Sequence, residues 1–511
     1  MVRSTVLGRV GPPLVVAVVA FVAYRLTMLP GVDFWDTGEL QTVGPVMGTA
    51  HPTGFPTYVL LAWLANVVLS PFGEPALRMN LLAALCVAAA AAVTVDLVRA
   101  LTRSAALAVA AGLGLAVTEA VWSIGTHAET HALHLLLAAL LLRLLVAWAD
   151  GAPGRATDRR LLAAALVYGL AVGNHSLSLL LAPAVGLYVL AVEPTILRRP
   201  RFVLACALAA LATAAAVFLE LPLRAGPFRA PLVYGRPETW DGFWYVVLAE
   251  QFRGSLVDPL GDLPAKALAL ADRTAAAFGP LAGLIPVAFV ATIGRRPRYA
   301  LLSGVAVALT CFFAASYVNA DIGRYYLVPA LLAWTWLAIL AGALATGVTA
   351  IVGAEPAEGG RPHALVALAL AVLLLVPTAA GVGDRARRVD RSGDDLARRW
   401  LDRALAVMEP DALIVSWWSV STPLWYAQHV EGQRPDLAIV DDRTRVDEDL
   451  GEIYDVIDAN LPRRPVYVIR ADEREIAGLA ERYILDYLDG PDARALTKVI
   501  ARHPSVGSAR R

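Results

Sequence analysis

Lysine is almost missing from this chain of 511 residues: it occurs only at Lys266 and Lys498, and the remaining fixed positive charge is arginine. Cysteine is equally scarce. Cys86, Cys206 and Cys311 each sit inside an apolar run and no CxxC pair exists, so the cysteines suggest neither a disulfide framework nor a metal site. Charged residues make up 17% of the chain, where a soluble domain carries about a quarter. The 44 basic and 44 acidic residues cancel, which leaves no basic field to neutralise nucleic-acid phosphates. Glycine-rich phosphate loops of the GxGxxG or GxxxxGKS kind are absent, and no internal repeat is visible.

Apolar residues dominate instead, at 58% with a mean hydropathy of +0.58. A membrane-spanning helix needs about 20 of them in a row. Runs of that kind fall at 12–30, 78–98, 105–122, 128–148, 161–176, 177–193, 202–222, 274–294, 299–317, 326–347 and 364–381, predicting about eleven spans. The first run follows Arg3 and Arg9 but lacks a small-residue cleavage site, so it reads as a span rather than a signal peptide. A further stretch, 56–72, is bracketed by Pro56 and Pro71. If it re-enters or lies in the interface without crossing, the arginines at 99, 103, 155, 159, 160, 198, 199, 201, 295, 296, 298 and 361 all fall on one side, as the positive-inside rule asks. The N-terminus is then cytoplasmic and the C-terminus extracytoplasmic, in a plasma (inner) membrane. Residues 353–362 read as an internal loop, and 223–273, with Trp240 and Trp244, as an external one along the interface.

Charge returns after Gly383. Short β-type runs at Ala412–Ser416, Leu437–Val440 and Val466–Arg470 alternate with helical patterns near 392–408, 448–459 and 473–488. The expected architecture is an all-α polytopic membrane domain over 1–383, carrying a small soluble α/β extracytoplasmic domain over 384–511.

The polar residues left on the external face are the candidates for chemistry. Asp33, Asp36 and Glu39 follow the first span; at spacings of three, neighbours share a helix face. Three carboxylates beside a low-dielectric region repel one another, which raises the basicity of at least one, as a general base requires. The alternative is a set of solvated loop acids. His51, before Pro52, either caps the next helix or donates a hydrogen bond to a phosphate or a sugar hydroxyl. His127, His131 and His134 with Glu129 approach a metal-ligand set, His127 and His131 four apart, without the HExxH order of zinc hydrolases; Glu129, beside a span, is the stronger functional candidate and a divalent cation is the alternative use of the set. Asn174 and His175 interrupt a hairpin. Arg324, at an external helix end, can grip a phosphate by two parallel hydrogen bonds or simply pair with Asp321.

Together these residues resemble the transmembrane family related to protein O-mannosyltransferases, within the GT-C glycosyltransferases. The resemblance is carried by Asp36–Glu39 (D-x-G-E), His51–Pro56 (HPTGFP), Trp122 to Glu129, Gly169–His175 (G-x-x-x-G-N-H), and Arg324 with Tyr325, Tyr326 and Pro329. In the tail it continues through Pro423–Tyr426 and Glu431–Asp436. His131 stands where the family pattern has tyrosine, and Ser416–Ser419 lacks the usual acid. The resemblance implies sugar transfer, mannose-type, from a polyprenyl-phosphate donor to a hydroxyl on a protein, lipid or glycan, with inversion. Asp36 is then the general base, Asp33 its competitor, and Glu39 positions the acceptor or sugar. Arg324 and His51 hold the phosphate, with Glu129 and His175 in the pocket wall. A lipid-sugar transporter and a metal-dependent membrane hydrolase are the rival readings; a transporter favours charges near the midplane, whereas these gather at one face.

Overall fold

The computed structural model describes residues 6–152, 154–351, 361–470, 472–488 and 496–504. Arg3 and most of the loop expected at 353–362 lie outside them. The chain opens with α1 (Val6–Leu26), two shorter helices, α2 (Trp35–Val46) and α3 (Pro56–Val68), and the long α4 (Pro75–Thr102). Next come α5 (Ala105–Ala116), α6 (Glu119–Ser123), α7 (Thr130–Ala149), α8 (Arg155–Asn174) and α9 (Ala182–Val192). They are followed by α10 (Pro200–Phe218), α11 (Glu220–Ala225), α12 (Trp240–Val247), α13 (Leu263–Phe278) and α14 (Ile285–Arg295). The helical part closes with α15 (Pro297–Ala315), α16 (Leu327–Ile351), α17 (Arg361–Ala380) and α18 (Val382–Val389).

Seven segments among the described residues are long and apolar enough to cross a membrane: 75–102, 130–149, 200–225, 263–295, 297–315, 322–351 and 361–380. Shorter apolar helices cover 10–26, 56–68, 105–116 and 176–192. α4 and α7 are largely buried and form the bundle centre, whereas α10 and α17 turn apolar side chains outward, as helices in contact with lipid do. The protein is a multi-pass membrane protein.

α3 does not run from one end of this bundle to the other. Near its start, the Thr57 hydroxyl donates to the Leu170 carbonyl (2.9 Å), at the end of α8 that holds Asn174. Near its finish, Asn66 accepts from Arg78 (3.1 Å) in the first turn of α4. That turn is itself pinned to the C-terminal part, because the Ala76 N–H donates to the Tyr426 hydroxyl (3.0 Å). Both ends of α3 therefore belong to the same end of the bundle.

The C-terminal part contains α19 (Leu396–Val407), β1 (Leu413–Ser416), α20 (Trp418–His429), β2 (Ala438–Asp441), α21 (Asp442–Asp447), α22 (Ile453–Asn460), β3 (Val466–Val468), α23 (Glu473–Arg482), β4 (Tyr483–Tyr487) and β5 (Thr497–Arg502). The sheet order is β2-β1-β3-β5-β4, parallel through the first three strands and antiparallel in the last two pairings. The three expected strands are present. The helix expected over 473–488 ends at Arg482, because Tyr483–Tyr487 pairs with β5. The helix expected over 448–459 starts only at Ile453, after Gly451 with its positive φ of 80°, and α21 lies ahead of the expected range.

Candidate active site

A cavity of about 1250 Å³ opens where α2, the start of α7 and the turn before α16 meet the C-terminal part. Asp33, Asp36, His51, Glu129, His175 and Arg324 all line it. Residues far apart in sequence are thus gathered at one end of the bundle.

The first-loop acids do not form the mutually repelling cluster expected from their spacing. Only Asp36 and Glu39 lie on α2; Asp33 precedes it. Each acid faces its own cation. Asp33 pairs with Arg391 at 2.7 Å, Asp36 with Arg324 at 3.2 Å, and Glu39 with the His51 ring. Glu39 is 1% exposed and stands behind His51 rather than on the cavity wall. It accepts from the His51 backbone N–H (3.0 Å) as well as from the ring, so its partner in the structure is His51, whereas the resemblance has it positioning the acceptor or sugar.

The HPTGFP motif is the turn that delivers this histidine. Gly54 donates its N–H to the His51 carbonyl at 2.7 Å with φ +79°, and a Cβ there would stand 2.9 Å from Leu221. Glycine is required at that point for both reasons. Pro56 then starts α3 at a position where no N–H is needed. His51 gains its proton readily. Burial opposes the charged form, but the Glu39 charge, the hydrogen bond to it and the Asp36 charge prevail and raise its pKa to about 9.

Arg324 sits in a 3₁₀ turn, Ile322–Tyr326, ahead of α16. Its guanidinium binds Glu129 (2.5 Å), Asp36 (3.2 Å) and Asp321 (2.8 Å). Both weighed alternatives meet here: the pair with Asp321 forms, and the same fork also joins α2 to α7. Asp321 is 69% exposed, so this partner is the one open to replacement by an incoming anion. Glu129 is 2% exposed and N-caps α7, accepting from the His131 N–H (3.1 Å). Burial works against its charge, but Arg324 above all, with His131, holds its pKa well below the carboxylate range. His175 N-caps the 3₁₀ turn after α8, its Nδ1 accepting from the Leu177 N–H (3.2 Å). Burial, with His131 and His134 beside it, keeps it well below the usual histidine pKa.

The histidines expected as metal ligands diverge. His131 Nδ1 binds Glu129 (2.8 Å), His134 Nδ1 meets Ser178 (3.2 Å), and His127 Nδ1 meets Thr126 (3.2 Å). Among the described residues no group of three His, Cys, Asp or Glu is arranged to hold a metal ion.

Sequence reasoning missed the roof. Trp417 stands edge-on to Trp35 (centroids 4.8 Å apart), Trp418 edge-on to His51 (5.7 Å), and Arg443 lies over the Tyr234 ring at 4.0 Å. The two tryptophans, Arg391 and Arg443 line the cavity from the C-terminal part. The tail motif that supported the resemblance is packing machinery: Tyr426 holds α4, Glu431 takes Arg398 bidentately (3.0 and 2.5 Å), and Arg434 caps α19 through the Leu405 and Met408 carbonyls.

Comparison with solved structures identifies this arrangement. ArnT from Cupriavidus metallidurans, bound to undecaprenyl phosphate, superposes over 97% of this chain and 99% of its own, with a TM-score of 0.56 at 16% identity. The chain has the GT-C fold. An Archaeoglobus fulgidus oligosaccharyltransferase in the apo form shares this GT-C architecture over 93% of the chain and 70% of its own length (TM-score 0.57, 13% identity). AglB from the same organism, in complex with an inhibitory peptide and a dolichol-phosphate, does so over 89% and 69% (TM-score 0.51, 14% identity). By sequence, residues 36–196 match the family described as the Protein O-mannosyl-transferase TMEM260 N-terminal domain. The mouse protein O-mannosyl-transferase TMEM260 is 28% identical over 453 residues, 83% of this chain. The chain spans 62% of the length of that relative.

Proposed function

We propose that this GT-C protein is a glycosyltransferase moving a sugar, mannose-type, from a polyprenyl-phosphate donor to a hydroxyl acceptor at the extracytoplasmic membrane face. The observation that carries the reading is the Asp36–Arg324–Glu129 junction inside a cavity at the ends of membrane helices. Lipid tails need the apolar helix faces; the sugar phosphate needs the cations; the acceptor needs a carboxylate. The resemblance to TMEM260 and the lipid phosphates named for ArnT and AglB support donor and chemistry alike.

The acceptor oxygen attacks the anomeric carbon while the bond from that carbon to the phosphate oxygen breaks, and the electron pair leaves with the phosphate. One direct displacement inverts the anomeric centre. Asp36 takes the acceptor proton; Asp33, committed to Arg391, is the weaker contender. Phosphate is a good leaving group, so a strong general acid is unnecessary. Protonated His51 and Arg324 face the charge that grows on it, an electrostatic contribution strongest where water is excluded. Glu39 fixes His51, and Glu129 fixes Arg324. The C-terminal part, which lines the cavity through Arg391, Trp417, Trp418 and Arg443, is an extracytoplasmic cap over it. A transporter is a poorer reading, since the charges gather at one end of the helices.

Mass spectrometry of exported proteins and cell-surface glycans, with and without the gene, tests the assignment. A hexose lost from a defined acceptor on deletion supports it, while unchanged glycans in both fractions oppose it.

A further inference from the structure

Arg324 is an overcommitted cation. Three carboxylates share its guanidinium, so that corner of the cavity carries net negative charge before any donor arrives. A phosphate needs an uncommitted cation nearby, and the cavity wall supplies one. Arg273, on α13, lines the same cavity, and its guanidinium lies 5.7 Å from the centroid of the Tyr326 ring, two residues from Arg324. Among the described residues no carboxylate, carbonyl or hydroxyl bonds to it, and it is exposed. Asp272 precedes it, but adjacent positions of a helix point apart, and the two form no ion pair.

Its depth matters as much as its freedom. Arg273 belongs to the apolar segment Leu263–Arg295, most of whose surface faces outward. It lies on α13, and Arg295 ends α14 on the far side of the 3₁₀ turn Gly279–Leu284 within that segment. Arg295, Arg296 and Arg298 gather at one end of this segment, whereas Arg273 lies toward the end that lines the cavity. An arginine on a segment that faces outward, with no ion pair among the described residues, calls for an anion that arrives with a lipid.

We infer that Arg273 is the anchoring contact for the phosphate of the lipid-linked donor, approached from the membrane side, while Arg324 chiefly holds the carboxylates of the site. This rests on the proposed use of a polyprenyl-phosphate donor. Phosphate-bound Arg273 places the leaving oxygens between the lipid-facing α13 and the carboxylates that receive the acceptor.

The test titrates C55 polyprenyl phosphate, phosphatidylglycerol and inorganic phosphate onto the full chain in neutral phosphatidylcholine nanodiscs. Arg273→Ala, an exposed truncation that leaves the packed core alone, is expected to weaken polyprenyl phosphate binding about tenfold or more. Arg273→Lys is expected to recover part of that loss. In transfer assays the alanine variant raises KM for the lipid donor more than it lowers kcat. Equal binding by wild type and Arg273→Ala overturns the inference and leaves the transferase reading standing. Failure of wild type itself to bind polyprenyl phosphate overturns the donor reading. An equal loss for phosphatidylglycerol makes Arg273 a general headgroup anchor and overturns the donor assignment, as does an equal loss for inorganic phosphate alone.

Discussion

Each acid of the first loop is defined by the cation it meets, and the sharpest of these pairings is Glu39 with His51. Because the folded-state pKa of His51 is raised from 6.5 to about 9, its stabilising charge is fully present below about pH 6.5 and is lost as pH rises through about 9. Lipid-phosphate affinity at constant ionic strength is therefore expected to fall across pH 8–10 in wild type, with the fall absent from His51→Asn. A wild-type profile flat through pH 10 removes His51 from phosphate binding. His51→Ala strands the buried Glu39 carboxylate, at a cost of about 3–5 kcal/mol, read as a lowered Tm. Arg324→Ala similarly strips Asp36 and Glu129 of their shared counter-ion. Arg324→Lys keeps the charge but cannot reach three carboxylates with one planar fork. We expect transfer to fall in the order wild type, lysine, alanine, and full activity in the alanine variant contradicts the role given to this junction. The sequence made these residues visible as external polar groups, but not their partners. The carboxylates lie three apart along the chain, whereas their cations come from positions 51, 324 and 391.

At the scale of elements, the apolar runs and the first three strands follow from length and alternation alone, since a bilayer or a buried parallel strand leaves few other solutions. The short helices were harder to foresee. α2 holds its position by tertiary contacts: Arg224 donates to the Met47 and Val46 carbonyls (2.7 and 3.1 Å), closing its C-terminus from a segment nearly 180 positions away. Its other face meets α20 through Gly38, whose Cβ, if present, would stand 2.1 Å from the Asp33 carbonyl oxygen and 2.7 Å from the Thr422 hydroxyl. Backbone cannot yield as a side chain can. Gly38→Ala is therefore expected to destabilise the protein by about 1–3 kcal/mol through overpacking and to lower transfer by displacing Asp36. A Gly38→Ala protein with wild-type Tm and activity contradicts this close approach. β4 escaped notice because it runs straight on from the short helix α23 and pairs antiparallel with β5 from later in the chain, a contact that local pattern does not encode.

For the molecule as a whole, the ends of α3, the start of α4 and the C-terminal part lie together, so 56–68 returns to the end it left. Reporter fusions after Ala50, Gly151, Arg199, Asp241 and Arg388 are expected to read outside, inside, inside, outside, outside. An inside signal after Arg388 would put the cavity on the cytoplasmic face. The cap was legible as an α/β segment but its share of the cavity was not, because Trp417, Trp418 and Arg443 act only once α20 and α21 lie over α2. Purified full chain with a polyprenyl-phosphate mannose donor and a hydroxyl acceptor tests sugar transfer with Asp36 as base most directly. Asp36→Asn keeps the size and a hydrogen bond toward Arg324 while removing the proton acceptor. Wild type is expected to transfer the sugar, and Asp36→Asn to lose about 10²–10⁴-fold in transfer with polyprenyl phosphate binding retained; near-normal transfer by a folded Asp36→Asn protein would contradict the role of Asp36 as base.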